Sequence, residues 1–125
     1  MKYSDERNIM AISVKRVYDA PEEKDGFRVL VDRLWPRGLS KDKIRIDLWL
    51  KEISPSNELR KWAHQHPEKW DEFKEKYFNE LRDHDSEVRE LINKSKNEPV
   101  TLVYASKNTE NNNATVLRDY LLSMS

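Results

Sequence analysis

Two short apolar runs constrain the fold of this chain more than any other feature. The first is Val29-Leu-Val31, and the second is Val100-Thr-Leu-Val-Tyr104. Neither run keeps a strict alternation of apolar and polar residues, so each predicts a strand that is buried on both faces. Strands of that kind occur in parallel sheets whose two faces are covered. We therefore expect adjacent parallel strands over 28–34 and 100–106.

Other segments fit the same architecture. The segments 12–17 and 44–50 alternate apolar and polar residues, which predicts two more strands, the second at an exposed edge. Ser54-Pro55 is a favourable helix start. Apolar and aromatic residues spaced by three and four from Trp70 to Ile92 predict an amphipathic helix that a break at Asp83–Ser86 divides in two. A last helix is predicted over 114–122.

The predicted fold is therefore α/β: a Rossmann-like sandwich with a small, mostly parallel sheet and helices packed on it. We expect residues 1–11 to be a flexible N-terminal segment and residues 12–125 to form a single domain.

The composition excludes several classes of protein. Lys and Arg number 23, as do Asp and Glu, so the chain has no net charge and no bulk attraction to nucleic acid or to membranes. The absence of Cys excludes disulfides, thiolate metal sites and a cysteine nucleophile. We find neither an apolar run of membrane-spanning length nor the apolar region of a secretory signal. A soluble, cytoplasmic protein is expected.

Polar residues follow both buried strands. Asp32-Arg-Leu-Trp-Pro-Arg-Gly38 follows the first, and Tyr104-Ala-Ser-Lys-Asn108 follows the second. In open α/β sheets, ligands bind beyond the carboxyl ends of the strands. Guanidinium groups and the first amides of the final helix both favour anions. This order predicts an anion pocket in which Arg33, Arg37 and Lys107 bind the charge of the ligand.

Other polar residues of these two loops complete the predicted site. Tyr104, Asn108 and Asn112 are expected to form hydrogen bonds with the ligand. Asp32 is the one candidate for catalysis, since an aspartate at the end of an apolar strand either orients an arginine or acts as a general base. For Arg33, an ion pair with Asp32 or Asp47 that only caps the strand is the alternative to ligand binding.

The three histidines do not predict a metal site. His64 and His66 are two residues apart and so do not share a helical face, and Pro67 ends that helix. The chain also lacks a Walker loop, a dinucleotide-binding glycine motif and a nucleophile elbow. We therefore predict no metal, and the residues do not identify a cofactor.

Longer strings of residues indicate a family. Lys15-Arg-Val-Tyr-Asp19, Arg28-Val-Leu-Val-Asp-Arg-Leu-Trp-Pro-Arg-Gly38 and Thr101-Leu-Val-Tyr-Ala-Ser-Lys-Asn108 resemble the DUF488 family, specifically its short YeaO-like branch. The resemblance covers nearly the whole chain from about residue 11. It implies a Rossmann-like α/β sandwich and a clustered polar site, but it does not imply a particular reaction.

The chain departs from the wider family at the loop before the last helix. Many members have Cys where Tyr104 stands, and a Cys-His-Arg string in place of Asn112, Asn113 and Ala114. The YeaO-like branch often has His where Asn113 stands. Thiol or metal chemistry of those members therefore does not carry over to this chain, and neither does an acid–base step that needs this histidine.

Three functions stay open. The leading hypothesis is a domain that binds a small anionic ligand, a phosphate-bearing metabolite or a nucleotide, with or without catalytic turnover. The first alternative is nucleic-acid binding by the basic segment 26–45 with Trp35 and Trp49, although the neutral total charge counts against it. The second is a protein-interaction module, a homodimer included, that pairs through the exposed strand at 44–50.

Overall fold

The structure is a computed structural model that describes residues 11–124. The predicted flexible segment, residues 1–11, lies outside the described residues except for its last position. The helices and strands, in chain order, are β1 (Ile12–Arg16), β2 (Phe27–Leu30), α1 (Lys41–Ile44), β3 (Leu48–Trp49), α2 (Asn57–Gln65), α3 (Trp70–Leu81), α4 (Asp85–Asn97), β4 (Val100–Tyr104) and α5 (Asn113–Ser123). Within this range, no helix combines the length and the apolar character that a membrane crossing requires.

The four strands form one parallel sheet in the order β1-β4-β2-β3. β2 and β4 are neighbours, with Val29 opposite Leu102 and Leu30 opposite Val103. The predicted pairing of the two apolar runs is therefore confirmed. Because the strands are parallel, the loop after β2 and the loop after β4 leave the sheet at the same edge.

Both faces of the sheet are covered, as the apolar runs predicted. Leu102 packs into the larger core cluster with residues of α3 and α5 such as Tyr77 and Leu117. The next residue, Val103, points to the other face and packs with Val17 and Ile44 in a smaller cluster. The chain is thus an α/β sandwich with core on each side of the sheet.

The predicted strand over 44–50 is wrong for most of its length. Residues 41–44 form α1, and only Leu48–Trp49 pairs with β2. Arg45 ends α1 in the left-handed conformation, with φ at 48°. Ile44 is buried and Ile46 packs beside it on the second face of the sheet. The alternation there arises from burial of a helix and a loop, and β3 is a two-residue edge strand.

The helix α2 begins two residues later than predicted. Ser56, not Ser54, is its N-cap: the Ser56 Oγ accepts a hydrogen bond from the Leu59 amide at 3.0 Å. Glu80 of α3 accepts hydrogen bonds from the Ser56 amide at 2.8 Å and from its Oγ at 2.5 Å. The carboxylate of α3 therefore fixes the start of α2.

The predicted break in the long amphipathic helix is confirmed by a short turn of 3-10 helix, Arg82–His84, between α3 and α4. On α3, the buried Tyr77 hydroxyl donates a 2.6 Å hydrogen bond to the Ile53 carbonyl. Together with the hydrogen bonds of Glu80, this bond attaches the segment 53–56 to α3. Ser54 and Pro55 of that segment line the pocket that is described below.

Candidate ligand-binding pocket

A pocket of about 530 Å³ lies beyond the carboxyl ends of β2 and β4. This volume is within the range of small-molecule sites. The loops after β1, β2 and β4 contribute to it, together with α2 and α3. Its lining residues are Tyr18, Asp32, Arg33, Leu34, Trp35, Pro36, Arg37, Ser54, Pro55, Arg60, His64, Trp70, Phe73, Ala105, Ser106, Asn112 and Asn113.

Three arginines line this pocket. Arg33 donates long hydrogen bonds of 3.4 Å to the Pro55 carbonyl, and Arg60 donates one of 3.0 Å to the Asn57 side chain. Among residues 11–124, none of the three, Arg37 included, forms an ion pair with a carboxylate. The alternative expectation for Arg33, an ion pair with a neighbouring aspartate, is therefore not what the described residues show.

Arg37 stands on an exposed turn at the mouth of the pocket. Its carbonyl accepts a 3.0 Å hydrogen bond from the Tyr18 hydroxyl, which links the loop after β1 to the loop after β2. The Arg16 guanidinium lies 4.8 Å from the centre of the Tyr18 ring. Gly38 completes the turn with φ at 75°, a conformation that glycine adopts without steric cost. The turn fixes the backbone of Arg37 and leaves its guanidinium without a partner among the described residues.

Asp32 connects the loop after β2 with the loop after β4 at the base of the pocket. Its Oδ2 accepts a 2.8 Å hydrogen bond from the Ala105 amide, and its Oδ1 accepts one of 3.0 Å from the Asn113 side chain. The same Asn113 nitrogen donates to the Val31 carbonyl at 3.0 Å. Burial raises the pKa of Asp32, and the two hydrogen bonds and the charge of Arg60 oppose that rise. Asp32 forms no hydrogen bond to an arginine within the described chain.

The predicted site residues are only partly brought together. Asp32, Arg33, Arg37 and Asn112 line the pocket.

The other three, Tyr104, Lys107 and Asn108, lie outside its lining. Tyr104 is buried, which raises the pKa of its hydroxyl, and Lys107 and Asn108 are exposed on the loop after β4. Contact of these three residues with a ligand stays a prediction.

The asparagines of this loop mainly stabilise the loop itself. Asn112 is buried and caps α5, where its Oδ1 accepts from the Thr115 amide at 3.0 Å. Its Nδ2 donates to the Asn108 carbonyl at 2.9 Å. The Asn108 Oδ1 in turn accepts from the amides of Glu110 and Asn111. These bonds hold the loop in place beside the arginines.

Among the pocket residues that were not predicted, two pairs lie on helices. Arg60 and His64 are four apart on α2 and therefore share a helical face, a spacing that could have revealed them. Trp70 and Phe73 follow the apolar spacing of α3, which is typical of core. Phe73 is indeed buried, but both rings also line the pocket.

The hydroxyl groups of the two pocket serines form hydrogen bonds with the backbone around them. Of the two pocket serines, the Ser54 Oγ donates to the Lys51 carbonyl, and the Ser106 Oγ accepts from the Asn108 amide. Neither hydroxyl is hydrogen-bonded to a histidine or a carboxylate among the described residues, as an activated nucleophile would be. Residues 11–124 also contain no cluster of three His, Cys, Asp or Glu side chains that could hold a metal ion.

Comparisons with known proteins give the family. The family described as the inactive DUF488-N3 subclade matches residues 11–124. The uncharacterized protein YeaO of Escherichia coli K12 is 49% identical over 115 residues, which are 92% of this chain and 100% of the relative. The uncharacterized protein Rv3073c of Mycobacterium tuberculosis H37Rv is 43% identical over 112 residues, 88% of this chain and 92% of the relative. No solved structure matches the chain significantly. The chain therefore belongs to the DUF488 family, in the subclade described as inactive DUF488-N3.

Proposed function

We propose that this protein binds a small anionic, phosphate-bearing ligand in the pocket and does not turn it over. The observation that carries the proposal is the set of three guanidinium groups, Arg33, Arg37 and Arg60, that share one pocket without a carboxylate partner among the described residues.

The charge balance of the pocket favours an anion. In the pocket lining, the three arginines outnumber the single carboxylate of Asp32. Guanidinium groups bind phosphate through two parallel hydrogen bonds, which gives geometric selectivity as well as energy. A phosphate in the pocket would therefore supply the negatively charged acceptor that none of these three side chains has in an ion pair among the described residues.

The neighbours of Asp32 support the proposal that the ligand is not turned over. Both carboxylate oxygens of Asp32 accept hydrogen bonds from the Ala105 amide and from Asn113, which are loop contacts. Asn113 cannot act as an acid or a base, and it stands where the YeaO-like branch often has His. The description of the matched subclade as inactive agrees with this assignment.

A thermal-shift screen tests the proposal. The protein is heated with a set of phosphorylated metabolites, each paired with its dephosphorylated form, and hits are incubated with the protein while their phosphorus NMR spectra are followed. We expect a phosphorylated compound to raise the melting temperature, its dephosphorylated partner to have little effect, and the phosphorus spectrum to stay unchanged.

Two variants localise the binding. Arg60→Ala is expected to lose most of the thermal shift, whereas Lys43→Ala, which removes an exposed positive charge of α1 outside the pocket lining, is expected to keep it. Equal loss in both variants would mean that bulk charge, not the pocket, attracts the ligand. Consumption of the phosphorylated compound would contradict the claim of binding without turnover.

A further inference from the structure

Anion binding leaves the aromatic side chains of the pocket unexplained. Trp70 is the first residue of α3, and its ring is stacked on Phe73, with centroids 4.8 Å apart and planes inclined by 21°. Phe73 is only 5% exposed. Trp70 is partly exposed, and both residues line the pocket. Trp70 therefore packs against the core, is only partly buried and also borders the pocket.

A second tryptophan of the pocket is also fixed in orientation. Trp35 lies in the loop after β2, and its Nε1 donates a 2.7 Å hydrogen bond to the Leu39 carbonyl. Its ring packs against Trp49 in an edge-on geometry, at 5.3 Å between centroids and 67° between planes. Rings that are already held in place lose little conformational freedom when a ligand covers them.

The aromatic side chains and the arginines line one and the same pocket. A sugar phosphate would satisfy the guanidinium groups but would leave the accessible part of Trp70 in water. A planar ring joined to the phosphate would cover it as well, since base–aromatic stacking needs only a π-face. We infer that the ligand is a phosphate monoester with a planar aromatic ring, of the size of a mononucleotide, and that its ring packs on Trp70. The inference rests on the proposed anion site and adds the class of ligand.

A free mononucleotide fits better than a nucleic-acid strand. The site is a pocket of about 530 Å³, which suits one small molecule. The chain also has no net charge, whereas strand binding relies on many positive charges along the backbone.

Two probes that share a phosphate but differ in the ring test the inference. Adenosine 5′-monophosphate and ribose 5-phosphate are titrated into the wild-type protein by calorimetry, with tryptophan fluorescence as a second readout. We expect the nucleotide to bind about tenfold tighter, which corresponds to about 1.4 kcal/mol. It alone should quench tryptophan fluorescence. A 5′-phosphorylated trinucleotide should bind no tighter than the mononucleotide.

A matched pair of variants tests whether the higher affinity for the nucleotide depends on the ring of Trp70. Trp70→Leu is expected to lower the affinity for the nucleotide to that for ribose 5-phosphate and to leave the latter unchanged. Trp62→Leu changes a partly buried tryptophan of α2 that does not line the pocket, and it should keep the tenfold preference. If Trp70→Leu does not fold, the comparison of the two probes on the wild-type protein still decides.

The outcomes separate this inference from the proposed function. Equal affinities of the wild-type protein for the two probes would overturn the inference and leave the anion site intact. A trinucleotide that binds tighter than the mononucleotide would overturn the assignment to a free nucleotide. Failure of both phosphates to bind would overturn the proposed function, and the inference with it.

Discussion

Replacing Arg37 by alanine should separate ligand binding from folding. The side chain is exposed on the turn after β2, and its guanidinium has no ion pair or hydrogen bond within residues 11–124. The bond that ties this turn to Tyr18 uses the Arg37 carbonyl, which alanine retains. We therefore expect the free energy of unfolding without ligand to change by less than about 0.5 kcal/mol.

The expected loss of affinity is much larger than this change in stability. A hydrogen bond to a charged group contributes about 1.5–3 kcal/mol, so the variant should bind phosphate roughly tenfold to a hundredfold more weakly. A ligand at 100 times its dissociation constant stabilises the wild-type protein by about 2.7 kcal/mol. At the same concentration, the variant should gain only about 0.4–1.4 kcal/mol.

Urea unfolding measures both quantities. Wild type, Arg37→Ala and Lys43→Ala are unfolded without ligand, with inorganic phosphate, and with sodium chloride at matched ionic strength. Lys43 is exposed and lies outside the pocket lining, so its variant should respond to phosphate as the wild type does. The salt control corrects for screening of surface charges.

Two results would refute this reasoning. If Arg37→Ala unfolds several kcal/mol more easily without ligand, the guanidinium has a structural partner, as the loss of one member of a buried ion pair would show. If Arg37→Ala gains as much stability from phosphate as the wild type does, Arg37 does not bind the anion.

Two further predictions concern the pocket walls and its carboxylate. Phe73→Ala should lower the free energy of unfolding, measured in urea, by about 3–5 kcal/mol because Phe73 is buried. Trp70→Ala should lower it by less because Trp70 is partly exposed, and equal losses in the two variants would contradict this difference. Burial raises the pKa of Asp32 in the folded state, so ionisation of this group destabilises the fold as pH rises from the ordinary value of 3.8 through the raised one. The stability of Asp32→Asn relative to the wild type should therefore increase over that pH range, and a pH-independent difference between the two unfolding curves would contradict it.

The central strands could be predicted from the sequence because their burial determines their composition. The residues of Val29-Leu-Val31 are all fully buried, and the run from Val100 to Tyr104 contributes to the core on both faces of the sheet, so neither run needs polar alternation. The segment 44–50 could not be predicted in the same way. Ile44 is buried as the last residue of the helix α1, and Arg45 ends that helix in the left-handed conformation. The apolar spacing of the segment is nevertheless the same as that of a strand.

The sequence predicted those pocket residues that come soon after a strand or in the loop before α5. Asp32, Arg33 and Arg37 come directly after β2, so the topology places them at the carboxyl edge. Arg60 shares a helical face with His64, but this face reaches the pocket because contacts of α3 with the segment 53–56 fix the start of α2, and the spacing alone does not report those contacts. Trp70 serves as core and as pocket wall at once, and helical periodicity identifies only the first of these roles.

Phosphate mapping by NMR tests the central claim most directly. The protein, labelled with nitrogen-15, is titrated with inorganic phosphate, and both the backbone amides and the Nε groups of the arginines are followed. We expect saturable shifts of the Nε signals of Arg33, Arg37 and Arg60 with one common dissociation constant, together with shifts of pocket amides such as that of Ser106. Saturable shifts confined to residues 41–45, which lie outside the pocket lining, or no saturable shift at the three arginines, would contradict this claim.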